Sequence, residues 1–429
     1  MREMKGSGIE WIGQIPKGWE LRRAKTLFTQ RNSKGNGIEV LLSPTQKYGV
    51  VPQSQLEGVV QVKEDTDLQM FKTVHKGDFV ISLRSFQGGF EYSLYEGVCS
   101  PAYQVFYPTS PICDTYYRYL FKSQSFISKM NNLTVGIREG KNIQYVDFAN
   151  SQIPVPPLAE QERIAAFLDA ECAEIDAVLE KTRASIEEYK KLKQAVITQA
   201  VTKGIRGDRP MKDSGIEWIG DIPESWEVSS VRYIGHLQNG ISKGGEFFGK
   251  GFPFVSYGDV YKNYELPHSV SGLIDTTEDE RATYSVEYGD IFFTRTSETI
   301  EEVGFSCVCK RSIPNATFAG FIIRLRPFCA DEKILTDYAK YYFRGEHIRA
   351  YLVKEMNLVT RASLGQTLLK GMSVIVPPKS VQKEIAEYLD DKCADIDALV
   401  AKKQQYLTEI ENYKKSLIYE YVTGKKEVV

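Results

Sequence analysis

The 429-residue chain lacks several things that would place it at once. It has no run of about 18 apolar residues, which excludes an ordinary membrane-spanning helix. It has almost no net charge: 54 Lys and Arg stand against 56 Asp and Glu. That excludes a nucleic-acid binder that is basic all over and leaves room for local basic faces. Its seven Cys (99, 113, 172, 307, 309, 329, 393) form no CxxC and no Cys/His ligand spacing. An odd number at irregular distances reads as reduced thiols of a cytosolic protein. Cys307 and Cys309 alternate along a predicted strand as packing residues rather than as a metal pair. The first ten residues carry charge, two Gly and no apolar stretch, so a signal peptide is not expected and the expected location is cytoplasmic. Catalytic signatures are missing too. Gly244–Lys250 begins like a phosphate-binding loop, but Gly251 stands where Ser or Thr must reach Mg²⁺. The two Pro-Pro pairs follow Val, not the Asn or Asp of an amino-methyltransferase. GxSxG, HExxH and GxGxxG do not occur, and the four His are scattered. No catalytic and no metal-binding residue is assigned.

What the chain does have is itself, twice. Residues 5–20 (KGSGIEWIGQIPKGWE) return at 212–227 (KDSGIEWIGDIPESWE) with 12 of 16 positions identical, and all four Trp lie in these segments. A second pair follows. The stretch from Pro154 (PVPPLAEQERIAAFLDAECAEIDAVLEK) returns 221 residues later from Ile375 (IVPPKSVQKEIAEYLDDKCADIDALVAK). Internal repeats define architecture before any local reading does. The order is motif, divergent region, Pro-Pro helix, and again the same. With 42% hydrophobic residues there is apolar material for several cores.

After Pro156-Pro157, apolar residues recur at spacings of three and four: Ile164, Leu168, Cys172, Ile175, Leu179, Ile186, Tyr189 and Val196. The second copy gives Ile385, Leu389, Cys393, Ile396, Val400, Leu407, Ile410 and Leu417. This heptad-like stripe predicts a helix of roughly 45 residues and about 65–70 Å in each half. Gly204 and Gly424 are the expected C-caps. Such a helix cannot bury its stripe alone, and the other copy is the natural partner. The pair is either a plain spacer or a spacer that also presents a surface to partner proteins.

The divergent regions, about 21–153 and 228–374, alternate short strand-like runs with turn residues. Expected strands include 80–83, 104–107, 291–294 and 320–325; expected helices are Thr115–Met130 and Leu335–Glu355. Each region reads as an α+β domain. Loops at strand ends interleave cationic, amide, hydroxyl and aromatic groups. Candidates for contact with bases or phosphates are Tyr48, Arg84, Ser85, Gln87, Arg138, Lys141 and Asn142 in the first half. In the second they are Tyr257, Arg295, Thr296, Arg361 and Gln366. Arg forks onto guanine, Gln and Asn onto adenine, and hydroxyls and Lys reach phosphates. Any one such loop could equally be an ordinary solvated loop; equivalent loops in both halves favour binding.

The duplicated SGIEWIGxIPxxWE motif, the duplicated PPxxxQxxIAxxLD helices and the two dissimilar regions between them resemble the specificity subunit of a Type I restriction-modification system. The helix motif is carried by Pro156, Pro157, Glu160, Gln161, Ile164, Leu168, Asp169, Ile175 and Asp176; the second copy departs at Val381, where Glu would stand. The resemblance covers essentially the whole chain. It implies a non-catalytic subunit with two α+β target recognition domains (1–153 and 206–374) joined by two conserved helices (154–205 and 375–429). The helices would form an antiparallel coiled coil with pseudo-twofold symmetry. Each domain would read one half of a bipartite site in double-stranded DNA. The helices would set the spacing and dock two methyltransferase subunits, with Gln161, Ile164, Leu168, Gln382, Ile385 and Leu389 as expected partner contacts. Restriction/translocation subunits would join them. S-adenosylmethionine, ATP and Mg²⁺ would be used by those partners and no cofactor by this chain. The competing reading is a protein-interaction scaffold with two variable binding domains and no DNA role. An active nuclease or methyltransferase in one chain is disfavoured by the missing motifs.

Overall fold

The computed structural model describes residues 2–35, 40–56, 68–83, 85–133, 143–207, 209–297, 303–355 and 362–428. The chain folds into two compact units. The first is Met1–Arg183 with Gln405–Val429, and the second is Ala184–Gln404. Each unit therefore combines one divergent region with half of each long helix. No helix among the described residues is long and apolar enough to cross a membrane.

The first unit is built on a four-stranded antiparallel sheet in the order Phe28–Arg31, Gln104–Pro108, Phe79–Ile81, Glu91–Tyr92. One face is packed with rings. Phe79 stacks on Phe106 with centroids 5.3 Å apart, and Phe28 lies 5.6 Å from both Phe106 and Phe121. Each fully buried ring contributes about 2–3 kcal/mol of apolar burial. The helix expected over Thr115–Met130 is two helices, Asp114–Lys122 and Gln124–Leu133. Ser123 breaks them: its backbone is extended, and its hydroxyl donates to the Leu120 carbonyl at 2.7 Å.

The second unit repeats the sheet as Gly235–Asn239, Ile322–Pro327, Ile291–Thr294 and Ser306–Val308. Its helix pair is likewise divided, into Thr336–Tyr342 and Glu346–Glu355, with Gly345 at the break. A three-stranded sheet is added, in which Phe248–Val255 pairs antiparallel with Gly272–Ile274 and parallel with Thr317–Phe318. Strand alternation serves two cores here. Val308 faces the core of the main sheet, whereas Cys307 and Cys309 face the added one.

The long helices are Leu158–Lys203 and Lys379–Val422. In each unit one half-helix runs antiparallel to the other. In the first unit Phe167 lies 4.4 Å from Tyr421, Asp176 pairs with Lys414 at 2.6 Å, and Arg183 with Glu411 at 2.6 Å. In the second, Lys193 pairs with Asp397 at 2.6 Å and Arg206 with Glu384 at 2.5 Å. Asp176 and Asp397 are equivalent positions of the repeat, as are Lys193 and Lys414, so one ion pair is used twice. Arg183–Glu411 and Arg206–Glu384 are largely exposed, and in the two repeated pairs a mostly buried Lys meets an exposed Asp, so each pair is worth about 1 kcal/mol or less. Burial of the stripe dominates. Gly204 and Gly424 end the helices at φ 82° and 71°, the left-handed geometry of a glycine cap.

The six helix residues expected to meet a partner are covered within the chain. Gln161, Ile164 and Leu168 are 1% exposed or less, and so are Gln382, Ile385 and Leu389. Gln161 Oε1 accepts the Cys113 amide at 2.9 Å while its Nε2 donates to the Pro156 carbonyl at 2.7 Å. Gln382 does the same with Leu335 at 2.7 Å and Pro377 at 2.8 Å. Ile385 and Leu389 share a core with Ile197, Val201, Trp226 and Tyr338. The expectation that these six residues contact a partner is corrected. They pin each helix onto its own unit, because one apolar face has to satisfy both the second helix and the sheet domain.

Candidate nucleic-acid interface

In the first unit Tyr48 and Gln87 are brought together beside the sheet. The hairpin Leu42–Thr45/Gly49–Pro52 carries Tyr48 at its tip, 59% exposed. Thr45 Oγ1 accepts the Tyr48 amide at 3.0 Å and donates to the Gly49 carbonyl at 3.0 Å, which fixes the turn. Gly49, at φ 74°, is required because a Cβ would stand 2.7 Å from the Tyr92 carbonyl. The next residue of the cluster, Gln87, lies on the short helix Ser85–Gly88, and Gln46 Nε2 donates to its Oε1 at 3.3 Å. Lys122 Nζ ties the cluster from beneath, donating to the Gln46 carbonyl (3.2 Å), the Gly88 carbonyl (2.9 Å) and the Glu91 carboxylate (2.7 Å). Burial pushes the Glu91 carboxyl up to about 7, with Lys122 pulling it down.

Ser85 is a correction. It is 1% exposed, and its Oγ accepts the Ser82 amide at 2.7 Å, so it builds the turn and has no surface for DNA. Arg84, Arg138, Lys141 and Asn142 lie outside the described residues. The chain after them is held at the same end of the sheet, where Gln104 Oε1 accepts the Tyr145 amide at 2.7 Å.

In the second unit two loops far apart in sequence are brought together. Thr296–Ser297 pairs with Ala362–Ser363. The Arg295 amide donates to the Phe321 carbonyl at 2.9 Å, and its carbonyl accepts the Leu364 amide at 2.7 Å. Gln366 Nε2 donates to Asn239 Oδ1 at 2.9 Å. Three strand ends of the main sheet thus converge, with Arg295 and Thr296 half-buried at their junction. Arg361 lies outside the described residues. Tyr257 reaches the same sheet end: it stacks on Tyr261 (5.9 Å, 18°), which meets Phe305 edge-on at 5.2 Å. A capping box between Ser256 and Asp259 sets the start of their helix, Tyr257–Lys262.

Sequence reading missed Phe321, which is 63% exposed at this junction. Its signal was an aromatic directly after Gly320, ahead of a strand. Exposed aromatics among amide, hydroxyl and cationic groups can stack on or wedge against bases and hold phosphates.

These features agree with the comparisons to known proteins. The pattern of the Type I restriction modification DNA specificity domain matches residues 16–188 and again 223–411. The chain belongs to that family, whose members recognise DNA on behalf of a larger complex. It is 25% identical over 324 residues to the Type I restriction enzyme EcoKI specificity subunit of Escherichia coli (strain K12), covering 74% of this chain and 67% of that one. It is 24% identical over 448 residues to the putative type I restriction enzyme MjaX specificity subunit of Methanocaldococcus jannaschii, covering 97% and 96%. The chain spans about two thirds of the first and nearly all of the second. Its fold is similar to a chain solved in work on complex assembly and conformational transition of the type I R-M system (TM-score 0.71, 15% identity, 96% and 99% covered). It also resembles the HsdS subunit from Thermoanaerobacter tengcongensis (TM-score 0.50, 16% identity, 96% and 98% covered).

Proposed function

We propose that each unit reads one half of a bipartite, asymmetric DNA site and that the paired helices set the unread gap. One observation carries this. The two units share their frame residue for residue, in Gln161/Gln382 and in Asp176–Lys414/Asp397–Lys193, yet present different side chains at the same sheet end. A common frame with divergent tips suits two different half-sites and not two copies of one.

The bond-making steps belong to partner subunits: adenine methylation with S-adenosylmethionine, and ATP- and Mg²⁺-dependent translocation and cleavage, in a cytoplasmic complex. Two methyltransferase copies need two similar docking faces, and the buried stripe offers none. The helices expose apolar side chains elsewhere. Val178 (41%) and Tyr413 (56%) do so in the first unit, and their repeat equivalents Leu399 (44%) and Leu192 (48%) in the second. Apolar residues at matching exposed positions in both copies support a face used twice.

The test is methylation-aware sequencing of a host that carries this chain with its methyltransferase partner. The reading expects one motif of two fixed half-sites around a gap, lost when this chain is deleted. Persistence of the motif after deletion would favour a scaffold without a DNA role.

A further inference from the structure

Two part-buried cations hold the carbonyl ends of segments that carry binding candidates, the exposed Tyr48 and Gln87 in the first unit and the half-buried Tyr257 in the second. Lys122 ends the helix Asp114–Lys122. Its ammonium takes the Gly88 carbonyl, at the end of the helix bearing Gln87, and the Gln46 carbonyl, at the tip bearing Tyr48. Arg344 follows the helix Thr336–Tyr342. Its Nη2 donates to the carbonyls of Val260 (2.9 Å), Tyr261 (2.9 Å) and Asn263 (2.7 Å), and its Nε to that of Ser306 (2.6 Å). Those first three carbonyls close the helix bearing Tyr257 and Tyr261. The guanidinium lies 4.5 Å from the Tyr264 ring and 5.2 Å from Phe305. A cation at a helix C-terminus meets carbonyls that lack a partner within the helix.

The two cations occupy one position of the shared frame. Tyr116 and Tyr338, on the same helices, both donate to the last carbonyls of a long helix, those of Val422 and Val201. Tyr119 and Tyr341 both donate to the repeated aspartates, Asp169 and Asp390. The same spacing of 222 residues carries Lys122 to Arg344. What the cations hold differs. In the first unit the held helix follows the strand Phe79–Ile81; in the second it precedes the strand Ile291–Thr294. Topologically unrelated segments are fastened to one socket.

We infer that Lys122 and Arg344 are positioning residues for sequence readout, each fixing the reading segment of its own unit on the common frame. This rests on the DNA-recognition reading. The test uses the full chain with its methyltransferase partner and, as probes, a duplex carrying the mapped methylation motif and duplexes with single base changes in either half. Arg344→Met is expected to lower discrimination by about tenfold in one half-site and leave the other unchanged. Lys122→Met is expected to do so in the opposite half. Arg344→Lys should recover part of the loss, since an ammonium still donates to up to three carbonyls. Equal loss in both halves, or full discrimination by variants whose thermal unfolding is unchanged, overturns the inference. Where Arg344→Met does not fold, Lys122→Met decides by the same criteria. Failure of the unmodified complex to prefer the motif duplex over a scrambled one refutes the DNA reading itself, before any variant is compared.

Discussion

Glu160 and Val381 occupy the same position of the repeat, and the difference has a measurable consequence. Trp19 is 1% exposed, and its Nε1 donates to Glu160 Oε2 at 2.9 Å. Arg2 Nη2 donates to the other carboxylate oxygen at 2.5 Å, with both side chains mostly buried. In the second unit Trp226 is as buried, but Val381 offers no acceptor and Trp226 Nε1 has no partner. Glu160→Val transfers that defect to the first unit. An orphaned buried donor costs about 1–3 kcal/mol, and losing a hydrogen bond to a charged group falls in the same range. The unpaired Arg2 adds to this, and apolar burial by the new Val returns about 1 kcal/mol. A net loss of about 2 kcal/mol follows. With a urea slope of about 2 kcal/mol per molar, the unfolding midpoint should fall by about 1 M. Tryptophan fluorescence is a suitable probe because all four Trp lie in the two repeated segments. Glu160→Gln keeps an acceptor and should lose roughly half as much. The reverse change, Val381→Glu, gives Trp226 an acceptor at the position that Glu160 holds in the first unit. It should be neutral or mildly stabilising despite the added charge. A midpoint for Glu160→Val no lower than that of Glu162→Val, at an exposed site in the same turn, would refute the reasoning.

Further outcomes can be checked independently. His347 is 3% exposed, both ring nitrogens lack partners, and burial pulls its pKa from 6.5 down to about 3. The unfolded chain binds that proton first, so stability is unaffected above about pH 6.5 and falls by up to about 1.4 kcal/mol per pH unit between 6.5 and 3. His347→Phe should flatten that part of the stability–pH curve, as urea midpoints at pH 7 and pH 5 would show. Tyr413→Asp combined with Val178→Asp should remove one of two methyltransferase copies, read as complex mass by light scattering; retention of both places docking elsewhere. Matched seven-residue insertions after Arg183 and after Gln404 preserve the heptad and lengthen both helices by about 10 Å, roughly three base pairs. The methylated motif should keep its half-sites and gain gap; an active variant with an unchanged gap argues against a ruler.

Much of the frame was legible in the sequence because repeats and periodicity are local facts. The helices, their Gly caps and the strands expected at 80–83, 104–107, 291–294 and 320–325, which the structure places at 79–81, 104–108, 291–294 and 322–327, follow from spacing and turn residues. What packs against what is not local. Period alone says that Ile385 and Leu389 are buried, and not that their cover is the chain's own sheet domain. Val178 and Tyr413 were overlooked because they lie off the stripe; their signal is an apolar residue at the same off-stripe register in both copies. Ser123 looked like one more helical residue because its hydroxyl bond to Leu120 depends on a turn the sequence does not announce. Ser85 looked like a loop hydroxyl for the same reason. The pairing of Thr296–Ser297 with Ala362–Ser363 joins segments more than sixty residues apart, and no spacing rule anticipates it.

The central claim is that each unit reads its own half-site, and a domain exchange tests it most directly. Residues 21–153 are replaced by the corresponding region of another specificity subunit that supplies hydroxyl and cation groups at the positions of Tyr116 and Lys122. The helices and the second unit are left intact. The methylated motif is then mapped in a host carrying the chimera and its methyltransferase partner. One half-site should change to that of the donor while the other half-site is kept. A chimera that assembles and methylates but keeps both original half-sites, or changes both, would contradict the account.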